Sequence, residues 1–447
     1  MPIDSSQAQG TAIGLPRRVV PERAARAFLV GAMSAPQRLV LTNSTVLDGE
    51  SAIGPDCTVV VEGSTITTVA GTGSSVEPGP ADQRHDLAGR TVMPGLITCH
   101  FHSTYHELGS VPTPFGFEHP PAYQALLGAR NLRTALECGY TGAVSAGAAN
   151  DVDPSLKRAV NDGLIPGPRF LPGSRELSTT GHSNDSTPWY WNVGAPGAIR
   201  ICNGAEGFRL GVRDEIKRGA EIIKLFVTGG HGTTAPKERT ELTRDELAAA
   251  IDTAHDRDAL IRGHIANKPA LLLAVELGID IVDHGDDMDD ECIAAMVETG
   301  TYLVPSLYFP KHFIETMGTG LGFTEAMKAD LDYSYEVLPK ANAAGVRILV
   351  GDDYGAVGFP HGLYGHEFTL YADEVGIPAL DVMRWATRHA ADLLGRPDLG
   401  TVAEGATADL VVVDGDPLIA PSLLADAAAL TVIKDGSVVS GALPGRR

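Results

Sequence analysis

The sequence predicts a (β/α)8 barrel of TIM type joined to a composite β-sandwich built from both termini. Three observations carry this. Strand-like and helix-like segments alternate through the middle of the chain. Both ends are β-rich and interrupted by Gly and Pro. Histidines or acids stand at the ends of four of the strand-like segments, and a lysine sits inside a fifth. The 447 residues exceed one ordinary small domain and suit a large barrel with a smaller companion.

The chain divides into four parts. Residues 1–37 form an N-terminal arm to which no function is assigned. Residues 38–93 are the first part of the sandwich, with strand-like pieces at Val40–Thr42, Thr58–Val61 and Ile66–Val69. Residues 94–400 form the barrel. Residues 401–447 complete the sandwich through Leu410–Val413 and Leu430–Ile433. Within the barrel the expected strands are Val92–Cys99, Thr141–Ser145, Arg169–Leu171, Ile222–Thr228, Leu260–His264, Ile279–His284, Tyr302–Leu307 and Val346–Asp352. Expected helices include Pro121–Cys138, Thr243–His255 with a Thr243/Glu246 capping box, Pro269–Leu277, Asp289–Thr299, Thr324–Ala344 and Ala379–Leu394. A doubly wound sheet is the alternative, but no Gly-rich phosphate turn follows the first strand.

Composition excludes several classes. A net charge of −21 argues against nucleic acid and anionic membranes, both of which require a basic surface. Five scattered cysteines without a C-x-x-C pair indicate a reducing compartment. No apolar run reaches transmembrane length and the start lacks a signal-peptide pattern, so a cytoplasmic location is expected. The expected partners are a small-molecule substrate and further copies of the chain as a homo-oligomer.

The chemistry-bearing residues follow the strands. His100 and His102 end the first strand and share one face, because alternate strand residues point the same way. Lys224 lies inside the apolar strand Ile222–Thr228, where a charged ammonium is expensive to bury. It is paired with a buried acid, snorkels outward, or is carboxylated to an anionic carbamate able to hold two cations. His264 and His284 end the fifth and sixth strands, and Asp352–Asp353 end the eighth. Active groups of a barrel gather at these strand ends, so the set reads as a binuclear metal site.

The motifs Pro94-Gly-Leu-Ile-Thr-Cys-His100-Phe-His102, Ile223-Lys224, Thr228-Gly-Gly230, His264, His284-Gly and Gly351-Asp352-Asp353 resemble the amidohydrolase superfamily. The stretch Val402–Pro417 is similar to that superfamily's return into its sandwich, and the likeness spans about residues 38–440. It looks closest to the imidazolonepropionase-like and Xaa-Pro dipeptidase-like branch, near hydrolases of phenylureas and of the thiocarbamate molinate. The resemblance implies that His100 and His102 bind one metal, that N6-carboxylated Lys224 bridges two, and that His264 and His284 bind the second. Asp353 then binds the first metal and moves the proton, with the extra Asp352 a departure from the usual Gly-Thr-Asp. It further implies two divalent cations, zinc first, with cobalt, manganese or iron accepted by the same donors. His284 counts as both ligand and catalytic group.

Other residues stay open. His182 either touches substrate or is a solvated loop residue. Tyr308 either donates to a tetrahedral oxyanion or forms an aromatic wall. Trp189-Tyr190-Trp191 either lids the pocket or packs on the barrel rim. The expected activity is hydrolysis of a C–N bond in a small apolar amide, urea or (thio)carbamate by a metal-activated water. The alternatives are an Xaa-Pro dipeptidase or N-acyl amino acid hydrolase, with Arg175, Arg239 or Arg262 holding the carboxylate, a cyclic-amide hydrolase, and an inactive binding barrel.

Overall fold

The structure is a computed structural model that describes residues 38–445 apart from 75, 111–112, 183, 231–232, 234 and 319–321. The arm expected over residues 1–37 lies outside the described residues.

Eight parallel strands make the barrel wall. They are Leu96–Phe101, Tyr140–Ser145, Arg169–Leu171 continued by Gly173–Ser178, Ile222–Phe226, Leu260–Ile265, Ile281–His284, Tyr302–Val304 and Arg347–Ile348. The third strand is broken at Pro172, which has no N–H to give a ladder. Its first half pairs with the second strand and its second half with the fourth. The ring meets across the first and eighth strands, where the Cys99 N–H donates to the Val350 carbonyl at 2.7 Å. Every residue of the first, second and fourth strands is buried, as expected of parallel strands covered by helices.

Several strands are shorter than the apolar pattern suggests. The stretch Val92–Cys99 is two strands: Thr91–Pro94 pairs with the C-terminal sheet, and Leu96–Phe101 enters the barrel. Gly95 stands at the divide, where a Cβ would lie 2.1 Å from Thr141 Oγ1. The seventh strand stops at Val304, because Pro305 cannot donate and Ser306 turns to φ +54°. Helices follow each strand and include three that periodicity did not single out: Val152–Asn161, Gly204–Arg218 and Tyr308–Met317. The capping box at Thr243 and Glu246 forms as expected. The last helical stretch divides at Thr387 into Ala379–Ala386 and Arg388–Leu393.

The two ends of the chain make one hydrogen-bonded sheet. Leu410–Val413 pairs antiparallel with Thr91–Pro94, which joins Leu430–Lys434 and Ser437–Ser440 to Arg38–Leu47, Ala52–Glu62 and Thr65–Ala70. Gln83–Asp86 adds to Arg38–Leu47. This part has its own core, with Leu41, Val59 and Val92 from one end packed with Leu410, Val412 and Ile433 from the other. Neither terminal segment can bury its apolar face alone, so each needs the other end of the chain. No helix among the described residues is long and apolar enough to cross a membrane.

Candidate metal centre

The first and eighth strands bring three donor atoms together. His100 Nε2 lies 3.1 Å from His102 Nε2, and Asp353 Oδ1 lies 3.0 and 3.2 Å from the two nitrogens. His102 Nδ1 is 2.9 Å from the Gly147 carbonyl, which only accepts, so Nδ1 carries the proton and Nε2 presents a lone pair. His100 Nδ1 faces Asp283 Oδ1 at 3.5 Å and Ser306 Oγ at 3.3 Å, and the serine donates its own proton to Gly351 O. Arg262 Nη2, which only donates, also lies 3.4 Å from His100 Nδ1. Two imidazole nitrogens and a carboxylate oxygen this close together can hold one cation, and imidazole with carboxylate suits a divalent transition metal. Close approach of the two strands requires Gly351 (φ +144°), because a Cβ there would stand 2.2 Å from the His100 backbone nitrogen.

A buried charge cluster supports these ligands. Asp283, fully buried, accepts from both Nε and Nη2 of Arg262 and from Lys224 Nζ at 2.6 Å. Burial alone would raise its carboxyl, but Arg262 and Lys224 outweigh that and hold it well below the ordinary range. Arg262 also donates to the carbonyls of Cys99 and Ser145, tying the fifth strand to the first two. Of the sequence readings of Lys224, pairing with a buried acid is the one seen: the residue is 2% exposed and its ammonium meets Asp283.

His264 and His284 complete the ring of strand ends. His264 stacks on Phe226 with ring centres 4.6 Å apart, and its ring centre lies 4.6 Å from that of His284. His284 in turn sits 5.4 Å from the His100 ring. Its backbone adopts φ +73°, a left-handed turn that a non-glycine residue holds only under constraint. His102, Lys224, His264, His284 and Asp353 all line one cavity of about 370 Å³, walled by Tyr105, Phe115, Phe226, Phe309 and Phe313. Burial raises the Asp353 carboxyl, but His100, His102 and His284 outweigh it, so it stays anionic at neutral pH.

Asp352 and Asp353 separate cleanly. Asp352 Oδ2 accepts the Tyr308 and Phe309 N–H groups at 2.8 and 3.0 Å, anchoring the N-terminus of helix Tyr308–Met317. Its Oδ1 accepts the Asp353 N–H at 2.8 Å. Asp353 alone points at the histidines.

Other expectations fall elsewhere. Tyr308 begins that helix; its ring stacks on His366 and packs on Phe359, outside the cavity lining. His182 is buried behind the wall, edge-on to Phe226, with Nε2 on the Thr228 carbonyl and Nδ1 accepting from the Asn184 N–H. Trp189, 93% exposed, neither lids the pocket nor packs on the rim, and Tyr190 and Trp191 are exposed beside it. Arg175 is buried on Glu215 and Arg262 on Asp283, so neither reaches a substrate carboxylate. Arg239 is exposed beside Glu241. His231, which follows Thr228-Gly-Gly230 in the sequence and is expected near the same pocket, lies outside the described residues.

Asp283 and Glu176 are the residues that sequence reasoning missed. Asp283 carried a signal, an acid inside the apolar strand directly before His284. Glu176, on the third strand, accepts from Tyr105 Oη at 2.8 Å, and burial pushes its carboxyl up to about 8.

The sequence profile of the amidohydrolase family matches residues 91–443. Ochratoxinase from Aspergillus niger is 27% identical over 379 residues, covering 78% of this chain and 76% of that protein. A solved structure described as a prolidase complexed with N-methylphosphonate-L-proline shares 30% identity at TM-score 0.80, covering 91% of this chain and all of the other. A Xaa-Pro dipeptidase with bound methionine shares 28% identity at TM-score 0.80, covering 90% of this chain and all of that one. The barrel, the histidines and acid at its strand ends, and a profile running from the first strand through the terminal sheet agree: this chain belongs to the amidohydrolase family.

Proposed function

We propose that the protein hydrolyses a C–N bond in a small apolar amide, urea or (thio)carbamate. The observation that carries this reading is the His100–His102–Asp353 cluster opening into a cavity walled by aromatic rings, with no arginine among its described lining residues. An uncharged substrate fits such a wall better than a carboxylate, which needs a cation.

In this reading His100, His102 and Asp353 would hold one divalent cation, and His264 and His284 a second, with N6-carboxylated Lys224 as a further ligand. Zinc is the first choice of metal, and cobalt, manganese or iron suit the same donors. Such ions, when bound, acidify water and polarise a carbonyl. The chain's own residues do the rest. Gly147 O fixes the His102 tautomer, and Asp283 and Arg262 hold the His100 ring from its Nδ1 side. Asp353, anionic and at the cavity floor, accepts a proton from the attacking water. Oxygen adds to the carbonyl carbon, the C–N bond breaks, and Asp353 returns the proton to the leaving nitrogen. Tyr105, Phe226 and Phe309 press on the substrate and exclude bulk water. Carboxylation of Lys224 requires its amine to leave Asp283, so bicarbonate and metal act together in assembling the site.

A second reading is hydrolysis of Xaa-Pro dipeptides or N-acyl amino acids, favoured by the likeness to a prolidase and a Xaa-Pro dipeptidase. Among the described lining residues no arginine is present to receive the carboxylate. The test is amine release by metal-reconstituted protein in bicarbonate, over anilides, phenylureas, thiocarbamates, Xaa-Pro dipeptides and N-acyl amino acids, with His264→Ala as control. Turnover of the neutral apolar compounds is expected. Turnover confined to the carboxylates selects the second reading, and turnover of none removes both.

A further inference from the structure

We infer that the metal-site cavity continues into a second, apolar chamber that takes the neutral hydrocarbon tail of an extended substrate. This rests on the reading of the first cavity as an amide site. Beside that 370 Å³ cavity lies another of about 700 Å³, and the two share Thr233, Phe309 and Phe313 as lining residues. The phenylalanines stand four residues apart on helix Tyr308–Met317, with ring centres 5.9 Å apart, so they occupy one face of it. One face of this helix therefore borders both chambers.

The far chamber is mainly apolar, with Glu238, Asp286 and Asp330 also on its wall. Pro236 and Leu307 form part of its lining, and Met327 and Leu331, also four residues apart, come from helix Gly322–Ala344. Lys237, its one lysine or arginine among the described lining residues, is bonded to Asp287 at 2.8 Å and to Asp330. That cation is already compensated and offers nothing to an anionic tail. The first chamber, at about 370 Å³, sits near the lower end of the roughly 300–1,000 Å³ range of ligand pockets. Apolar surface continuous with it through two aromatic side chains is suited to the part of the same substrate that does not react. The occupant is an alkyl or aryl tail of a single amide substrate.

The probes are straight-chain primary amides from butanamide to dodecanamide, titrated by calorimetry into the metal-reconstituted full chain. Once the chain passes Phe309 and Phe313, affinity is expected to rise about fourfold per methylene, the equivalent of about 0.8 kcal/mol each. In Ala326→Trp and Met327→Glu, which fill or charge the chamber, the total rise from hexanamide to decanamide is expected to shrink to about twofold. A decanamide with a terminal diazirine should label the peptide containing Met327 and Leu331 in the unaltered protein. The last readout stands even where a variant fails to fold. A flat length series, a series equally steep in folded variants, or labelling elsewhere overturns the chamber. Length dependence and labelling with no turnover of any amide would keep the chamber and remove the hydrolase reading instead.

Discussion

Exchanging one carboxylate at a time in the Asp352–Asp353 pair should give opposite phenotypes, although the two residues are adjacent and chemically identical. Asp352 is fully buried and accepts three backbone N–H groups, two of them at the start of helix Tyr308–Met317. Loss of a helix cap costs about 0.5–2 kcal/mol, and a buried donor left without a partner about 1–3 kcal/mol. Part of this is offset by no longer burying a charge, so Asp352→Ala should destabilise by about 2–4 kcal/mol. Asp353 is 21% exposed on its side chain and faces the His100 and His102 imidazoles, which an Asn amide can also meet, so Asp353→Asn should destabilise the metal-free protein less than Asp352→Ala does. Activity should invert the order. Removing a group that both accepts and returns the proton costs about 10²–10⁴ in kcat. Asp352→Ala should instead act mainly on KM, because the helix it anchors carries Phe309 and Phe313 in the cavity wall. Urea unfolding of metal-free protein and steady-state kinetics of the reconstituted enzyme measure the two axes. If Asp352→Ala proved as stable as the parent and lost kcat as heavily as Asp353→Asn, the division of roles drawn from the geometry would be wrong.

Three further outcomes follow from the same geometry. Asp283→Ala leaves Arg262 and Lys224 charged and buried, so denaturant unfolding of the metal-free protein should show a loss of about 3–5 kcal/mol; a change under about 1 kcal/mol would mean that Asp283 does not hold the cluster together. Burial, with the charge of Asp352, pushes the Glu367 carboxyl up to about 8, so the folded state retains a proton that the unfolded chain releases near pH 4.5. Its contribution is full below that pH and is lost as pH rises to about 8, at up to about 1.4 kcal/mol per pH unit, and Glu367→Gln should flatten that slope in melts taken from pH 5 to 8. Zinc added to metal-free protein at about 100 times its Kd should stabilise it by roughly 2.7 kcal/mol, and His100→Ala should abolish the shift in a thermal melt; an undiminished shift would place the metal elsewhere.

The barrel was legible because its signals are local. Parallel strands buried on both faces read as short apolar runs, and a polar residue closing such a run is visible without any partner. His100, His102, His264 and His284 could therefore be read one strand at a time, and the structure gathers the last three with Asp353 around a common cavity, with His100 against His102 and Asp353. The charge cluster beneath them was not legible for the complementary reason. Arg262, Asp283 and Lys224 lie on three strands, and each looked anomalous or unremarkable until the barrel closed and set them against one another. Arg262 shows the consequence: its charge in the sequence suggested a carboxylate receptor, whereas its position makes it an internal strut satisfied by Asp283 and two carbonyls. Asp352, which the sequence showed only as a departure beside Asp353, has a role set in the same way, since the helix it caps begins at a residue the sequence reading placed after a strand. A side chain's residue type states what it can bind, but in a barrel the partner is supplied by another strand. What the barrel leaves facing the cavity is an aromatic wall, three strand-end histidines and Asp353.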